Sequence, residues 1–274
     1  MKWRMFICAI CFLIGGCSLN IPLEDQFSDP DAITDVLSAR SLLASAYKAM
    51  PQQIFQLSVL SDDFCPSQHL NKDMSLQGLY NWREVEMTEL AGTLWAGYYA
   101  GIAEVNALLA RIDAVVTLDE TEKLEKMRIV CEAKALKSWC YFDLLRLFAP
   151  RYEGNENKDG IILKKRVELD FLPRSSVKEC VTEIRTLLNE ARNVDNTQKN
   201  VYWLSDKAVA YLQVELELYA GNYPAVLELT KDLETEYPES VLGADVYKYL
   251  WSSENSDARI FGKYQLEQIY MDIR

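Results

Sequence analysis

Between Leu90 and Ile112 the residues Trp95, Tyr98, Ile102, Val105, Leu109 and Ile112 recur at steps of three and four, which puts them on one face of a helix. Asp119 and Glu122 then form a capping box, and the helix they open runs to Phe148, where Pro150 stops it. Two helices of this length joined by a short connection must lie antiparallel, so the spacing predicts an all-α fold with little sheet. Ser176 and Glu179 make a second capping box, opening a helix through Ala191. Ser205 opens another, closed by Gly221 where a left-handed cap is expected. Val214, Leu216 and Leu218 alternate as a strand would, but the alanines, Ser205 and Gly221 decide for helix. A helix from Tyr223 to Tyr237, ended by Pro238, completes a hairpin of tetratricopeptide type. The pair 90–112 and 120–148 follows the same logic, so the expected architecture is a set of irregular tetratricopeptide-like helical hairpins. Trp95, Tyr98, Ile102, Leu136, Phe142, Leu145, Leu212 and Leu216 are its expected core.

Elsewhere the pattern is looser. Asp29-Pro30 offers an N-cap carboxylate with proline at the first helical position, leading to a helix that ends near Met50-Pro51. From about Ser58 to Met87 the chain reads as irregular. A further loop of about twenty residues follows Pro150 and carries Gly154, Asn155, Gly160 and the run Ile161-Ile162-Leu163.

The first residues read as an address. Lys2 and Arg4 precede ten almost wholly apolar residues, Met5 to Ile14, too few to span a bilayer and suited to a signal peptide. Leu13-Ile14-Gly15-Gly16-Cys17 resembles a bacterial lipobox, with Cys17 as the lipidated residue, so the expected division is a signal peptide over 1–16, a lipidated acidic tether over 17–30 and a helical domain over 31–274. The alternative is a plain secretory signal with an incidental cysteine. No Lys or Arg occurs between Cys17 and Arg40, whereas Glu24, Asp25, Asp29, Asp31 and Asp35 do, as in lipoproteins exported to the outer surface. Cys65, Cys131, Cys140 and Cys180 match no metal spacing; Cys131 and Cys140 are too far apart on one helix to bridge, and free buried thiols are the expectation, with one bridge through Cys65 or Cys180 left open.

Composition excludes much. Lys and Arg total 29 against 41 Asp and Glu, a net charge of −12, with no basic cluster, so nucleic acid is not a partner. The single histidine, His69, leaves no His-paired catalytic arrangement, and no glycine-rich phosphate motif occurs, so neither an enzyme nor a cofactor is expected. Asp232, Glu234 and Glu236 read as a solvated face. The one segment rich in recognition chemistry is 62–83, which combines Asp62, Asp63, His69, Asn71, Tyr80, Trp82 and Arg83. Aromatic faces stack on sugar C–H surfaces while carboxylate, amide and guanidinium groups bond hydroxyls. Trp82 is the expected platform, with Asp63 and Arg83 flanking it; an ordinary surface loop is the equal alternative.

Several segments, in order, resemble the SusD/RagB family of Bacteroidetes outer-membrane nutrient-binding lipoproteins. They are the acidic lead-in Leu23 to Pro30, then Trp95, Tyr98, Ile102, Asn106 and Leu109, then Glu132-Ala133-Lys134-Ala135-Leu136 with Tyr141-Phe142-Asp143-Leu144 and Arg146-Leu147-Phe148. Pro173-Arg174-Ser175-Ser176-Val177, Tyr219-Ala220-Gly221-Asn222-Tyr223, Glu254-Asn255 and Ile260-Phe261 continue the likeness. The resemblance implies an outer-membrane, lipid-anchored protein that captures a glycan or other nutrient for a TonB-dependent, SusC-like transporter. It supports the general region of 62–83 without assigning its individual residues. The family continues for about as long again, so the residues from Leu250 to Tyr270, among them Trp251 and Phe261, are expected to lack cover. The alternatives are a helical-repeat scaffold at the outer membrane and a fragment of a longer binder.

Overall fold

The protein is described from a computed structural model, which defines residues 33–65, 74–168, 171–192 and 203–236. Asp29-Pro30 and the segment from Leu250 to Tyr270 lie outside these residues. Helix α1 (Val36–Ala49) leads to two short helices, α2 (Ile54–Leu60) and α3 (Met74–Tyr80). The long pair α4 (Glu84–Arg111) and α5 (Glu120–Phe148) follows, joined through a single 3₁₀ turn at Ile112–Ala114. Then come α6 (Val177–Ala191), α7 (Asp206–Tyr219) and α8 (Tyr223–Glu236). Among the described residues there is no strand, only an isolated bridge between Asp159 and Ser176. The all-α hairpin architecture therefore holds.

The caps explain the boundaries. Asp35, not Asp29, caps α1: its carboxylate accepts from the Ser38 amide at 2.7 Å while the Ser38 hydroxyl accepts from Asp35 N–H. Ser176 and Glu179 form the full reciprocal box expected of them. At α5 the box is displaced by one residue, since Asp119 caps the Glu122 amide but Glu122 accepts from Leu118 N–H. Gly221 (φ 71°) closes α7 through bonds from its own amide to Leu218 O and from Asn222 to Glu217 O, the left-handed Schellman stop.

Helices α1, α4 and α5 form the base, with α6 and α7 stacked on α5. Of the expected core, Tyr98, Ile102, Leu136, Phe142, Leu145 and Leu216 are buried, whereas Trp95 and Leu212 pack against the core partly buried. Cys131, Cys140 and Cys180 are buried thiols and Cys65 is an exposed one, so the bridge left open at Cys65 or Cys180 is not formed. Gly160 shows why it is glycine: a Cβ there would stand 2.8 Å from Cys180 Sγ and 3.0 Å from Ser175 O.

Polar groups inside this packing are paired. Arg40 on α1 reaches Glu132, only 1% exposed on α5, and also Glu125 at 3.0 Å. The same guanidinium lies 5.0 Å from the Trp203 ring centroid, and Tyr47 accepts from the Leu204 amide, which ties the start of α7 back to α1. Lys137 Nζ donates to Asn106 Oδ1 at 2.6 Å, Asn106 donates to Lys164 O at 2.9 Å and Tyr141 donates to the same carbonyl at 2.6 Å. Burial pushes the Lys137 ammonium down to about 8, with Glu183 opposing that shift and Lys165 adding to it.

Two predictions follow from these pairs. Arg40→Met leaves the Glu132 carboxylate buried without its cation and should cost about 3–5 kcal/mol in urea unfolding. Arg40→Met/Glu132→Gln should recover most of that loss, and equal instability of the two variants would contradict the pairing. For Lys137 the folded value lies below the unfolded one, near 10.4, so above about pH 8 the unfolded chain binds more protons and stability gains with rising pH. Burial raises Tyr98, Tyr99 and Tyr141, and these act oppositely once unfolded tyrosines ionise near pH 10. Between about pH 8 and 9.5, Lys137→Met should therefore flatten the rise, by on the order of 1–2 kcal/mol. Parallel pH profiles in the two proteins would refute it.

Candidate functional site

Residues 54–83 are more ordered than their sequence suggests. The stretch expected to be irregular contains α2, α3 and the first turn of α4, which begins at Glu84 rather than Leu90. Each short helix is seven residues long and buries a few apolar side chains: Val59 in α2, Leu76 and Leu79 in α3. Their ends share one geometry. In α2 the amides of Asp62 and Asp63 bond Val59 O and Ser58 O; in α3 those of Trp82 and Arg83 bond Leu79 O and Gly78 O. Both are Schellman stops, with φ of 65° at Asp62 and 54° at Trp82.

Glycine normally fills that left-handed position because a side chain there costs about 1–2 kcal/mol. Gly221 fills it in α7, yet α3 uses tryptophan, the bulkiest residue available. The strain holds the indole out from the helix end, where Trp82 is 60% exposed. Strained backbone of this kind concentrates at ligand-binding positions.

Other rings surround it. Phe55 and Phe64 pack tilted with centroids 5.7 Å apart, and both are exposed, as is Met74. Tyr80 is half-buried. A hydrogen bond with the Cys65 thiol, that group's charge, and the Asp62 carboxylate all push the Tyr80 phenol up, so it stays protonated and can donate. These contacts bring the C-terminal ends of α2 and α3 together. Asp62, Tyr80 and Cys65 thus share one locality, with Trp82 two residues beyond.

The flanking polar groups are differently employed. Asp63 Oδ2 accepts from Ser61 Oγ at 2.8 Å. Arg83 donates to Met74 O at 2.7 Å and pairs with Glu86 at 2.8 Å, bracing α3 against α4. His69 and Asn71 lie outside the described residues, as do Cys17 and the side chains of Asp232, Glu234 and Glu236. The exposed Phe55 and Phe64 were missed by sequence reasoning. Their only signal was an aromatic spaced nine residues from another, which no periodicity picks out.

Two other concavities flank the segment 161–175. One, of about 550 Å³, is lined by Trp95, Tyr99, Ile162, Lys164, Phe171 and Pro173. Its tryptophan is already occupied: Arg174 stacks 5.1 Å from the Trp95 ring while Tyr99 and Phe148 pack at 4.9 and 5.0 Å. Arg174 also donates to Phe148 O and Gly160 O, so Pro173-Arg174 is a structural clasp. The other, of about 560 Å³, holds the ion pair between Lys165 and Glu183 at 2.7 Å. Among the described residues no group of His, Cys, Asp and Glu could hold a metal ion. The segment 54–83 alone presents free aromatic faces beside polar groups.

Comparison with known proteins places the chain. A SusD-like family model, described as starch-binding associating with outer membrane, matches residues 23–215. The fold is similar to a SusD superfamily protein from Bacteroides thetaiotaomicron, with TM-score 0.69 and 17% identity over 86% of this chain and 54% of that one. It is also similar to a laminarin-binding SusD-like protein (TM-score 0.59, 19% identity, 82% and 50% covered). Surface glycan-binding protein A from Bacteroides fluxus is a third (TM-score 0.59, 17% identity, 85% and 51% covered). The chain spans about half the length of these structures. No curated protein matches it. With the family model covering most of its length and the same helical architecture beneath, the chain belongs to the SusD-like family.

Proposed function

We propose that this chain is a lipid-anchored binding protein of the outer membrane that captures an oligosaccharide at the α2–α3 end and delivers it to a SusC-like, TonB-dependent transporter. The observation that carries the reading is Trp82, an exposed indole held in a left-handed backbone position at the tip of α3. A saccharide ring laid on that indole would meet Asp62, the Tyr80 hydroxyl and the rings of Phe55 and Phe64 nearby; Asp63, Asn71 and Arg83 complete the proposed contact set. The printed names of the similar proteins, one laminarin-binding and one glycan-binding, point to the same ligand class. Anchoring rests on the lipobox at Cys17, with the signal peptide over 1–16, the tether over 17–30 and the helical domain from residue 31. The role is binding, and no residue is assigned to catalysis.

Two variants separate binding from folding. Trp82→Gly should relieve the left-handed strain and stabilise the chain by about 1 kcal/mol, some 2–4 °C in Tm. The same change should weaken glycan binding about tenfold or more in isothermal titration against a panel of α- and β-glucans. Unchanged affinity would remove Trp82 from the site, and no binding by either protein would favour a scaffold.

The anchor is tested separately. Cys17→Ala should abolish palmitate labelling and release the protein from membranes, since a multiply acylated cysteine is the only stable attachment proposed. Labelling that persists in the variant would overturn it.

A further inference from the structure

The end of the bundle opposite the candidate site carries a second exposed feature. Leu37 on the first turn of α1, and Val116 and Leu118 between the 3₁₀ turn and α5, are 76%, 66% and 85% exposed. They lie together because the Val116 amide bonds Thr34 O at 3.3 Å, and Leu37 is one helical turn beyond Thr34. The connection is rigidly held: Lys126 donates to Asp113 O and Val115 O, and Glu122 accepts from the Leu118 amide. Leu124 and Met127, also exposed, follow on the first two turns of α5. Exposed apolar residues grouped at a fixed place mark an interaction surface.

Two facts indicate what covers this surface. The chain enters the helical domain here, at Ile33 and Thr34, and only sixteen residues separate Cys17 from Ile33, a span of at most about 55 Å. Helix α5 runs 29 residues, about 43 Å, from this end to Phe148. Trp95 packs on Phe148 eleven residues after α4 begins, so α4 carries the α2–α3 site beyond that far end. A chain anchored through Cys17 therefore has this end nearest its anchor and the glycan site farthest away.

We propose that Leu37, Val116 and Leu118 form a membrane-resting surface that inserts shallowly into the lipid headgroup boundary, which orients the bundle with its glycan site outward. The proposal rests on the anchor at Cys17. The local charges do not draw the surface to anionic lipid, because Asp113, Asp119, Glu120 and Glu122 outnumber Lys123 and Lys126 there. Contact is apolar and should not depend on salt, as for a helix face seated in the headgroup region.

The test uses the full mature, acylated chain in phosphatidylcholine vesicles, on a Cys65→Ser background so that a new cysteine can be labelled with an environment-sensitive fluorophore. Leu118→Cys reports this surface. Tyr223→Cys reports the opposite end, which Tyr219 ties to Pro150 just past α5. The label at 118 should shift to the blue and be quenched by a nitroxide on the upper lipid chain, at low and high salt alike, while the label at 223 should respond only to aqueous iodide. Adding Leu37→Ser and Val116→Ser should lose the lipid quenching at 118 without releasing the protein from vesicles. A label at 118 quenched by iodide alone, or one shielded from lipid and iodide together by an added protein, would overturn the surface while leaving the anchor intact. Protein that lacks the acyl mass and does not float with vesicles would overturn anchor and surface together.

Discussion

The carbonyl oxygen of Lys164 accepts from two buried side chains at once, Asn106 on α4 and Tyr141 on α5, and Lys137 closes the group by donating to Asn106. Any of these left unmet in so apolar a place would cost about 1–3 kcal/mol. The group therefore fixes the register of the two longest helices and the path of the chain crossing them. Tyr99 extends the same clamp, accepting from the Ile162 amide and donating to its carbonyl. Once Ile161 to Lys164 is held there, Ser175 must meet Gly160 and Ile161, and α6 starts where Ser176 caps it. Helix α7 then docks on α6 through the bidentate pair of Arg185 with Glu217 and through Gln213 with Asn189.

The long α4–α5 pair also separates the molecule's two exposed ends. At one, α4 extends past Phe148 and supports the short helices that hold Trp82 out. At the other, the chain enters the domain beside Val116. Between them the core is dry and tightly packed, and Arg40 reaching Glu132 keeps α1 parallel to both. Recognition chemistry is thereby confined to the tip, where strain at one backbone position is sustained by the packing of Leu76 and Leu79 beneath it.

The helices from Glu120 onward were legible because each carries its own start and stop: Asp119, Ser176 and Ser205 at the front, Pro150 and Gly221 at the back. The two short helices carry none. Neither has a side-chain cap at its start that sequence could reveal, and both stop on left-handed Asp62 and Trp82 where a reader looks for glycine. Seven residues give too few repeats for a three-and-four spacing to stand out. Trp82 was legible as a recognition residue but not as a strained one. Arg83, which looked like a ligand group, proves to be a brace, because its bond to Met74 O depends on a helix the pattern did not show.

The central claim is that sugar is captured at the α2–α3 tip and not in the grooves beside residues 161–175. Of the six tryptophans in the chain, the indole N–H signals of Trp82 and Trp95 report these two places separately. Selective ¹⁵N-tryptophan labelling of the mature chain, titrated with gluco-oligosaccharides, tests the claim most directly. The Trp82 signal should shift in proportion to occupancy while the Trp95 signal, locked under Arg174, stays in place. Movement of the Trp95 signal with Trp82 unmoved would contradict it.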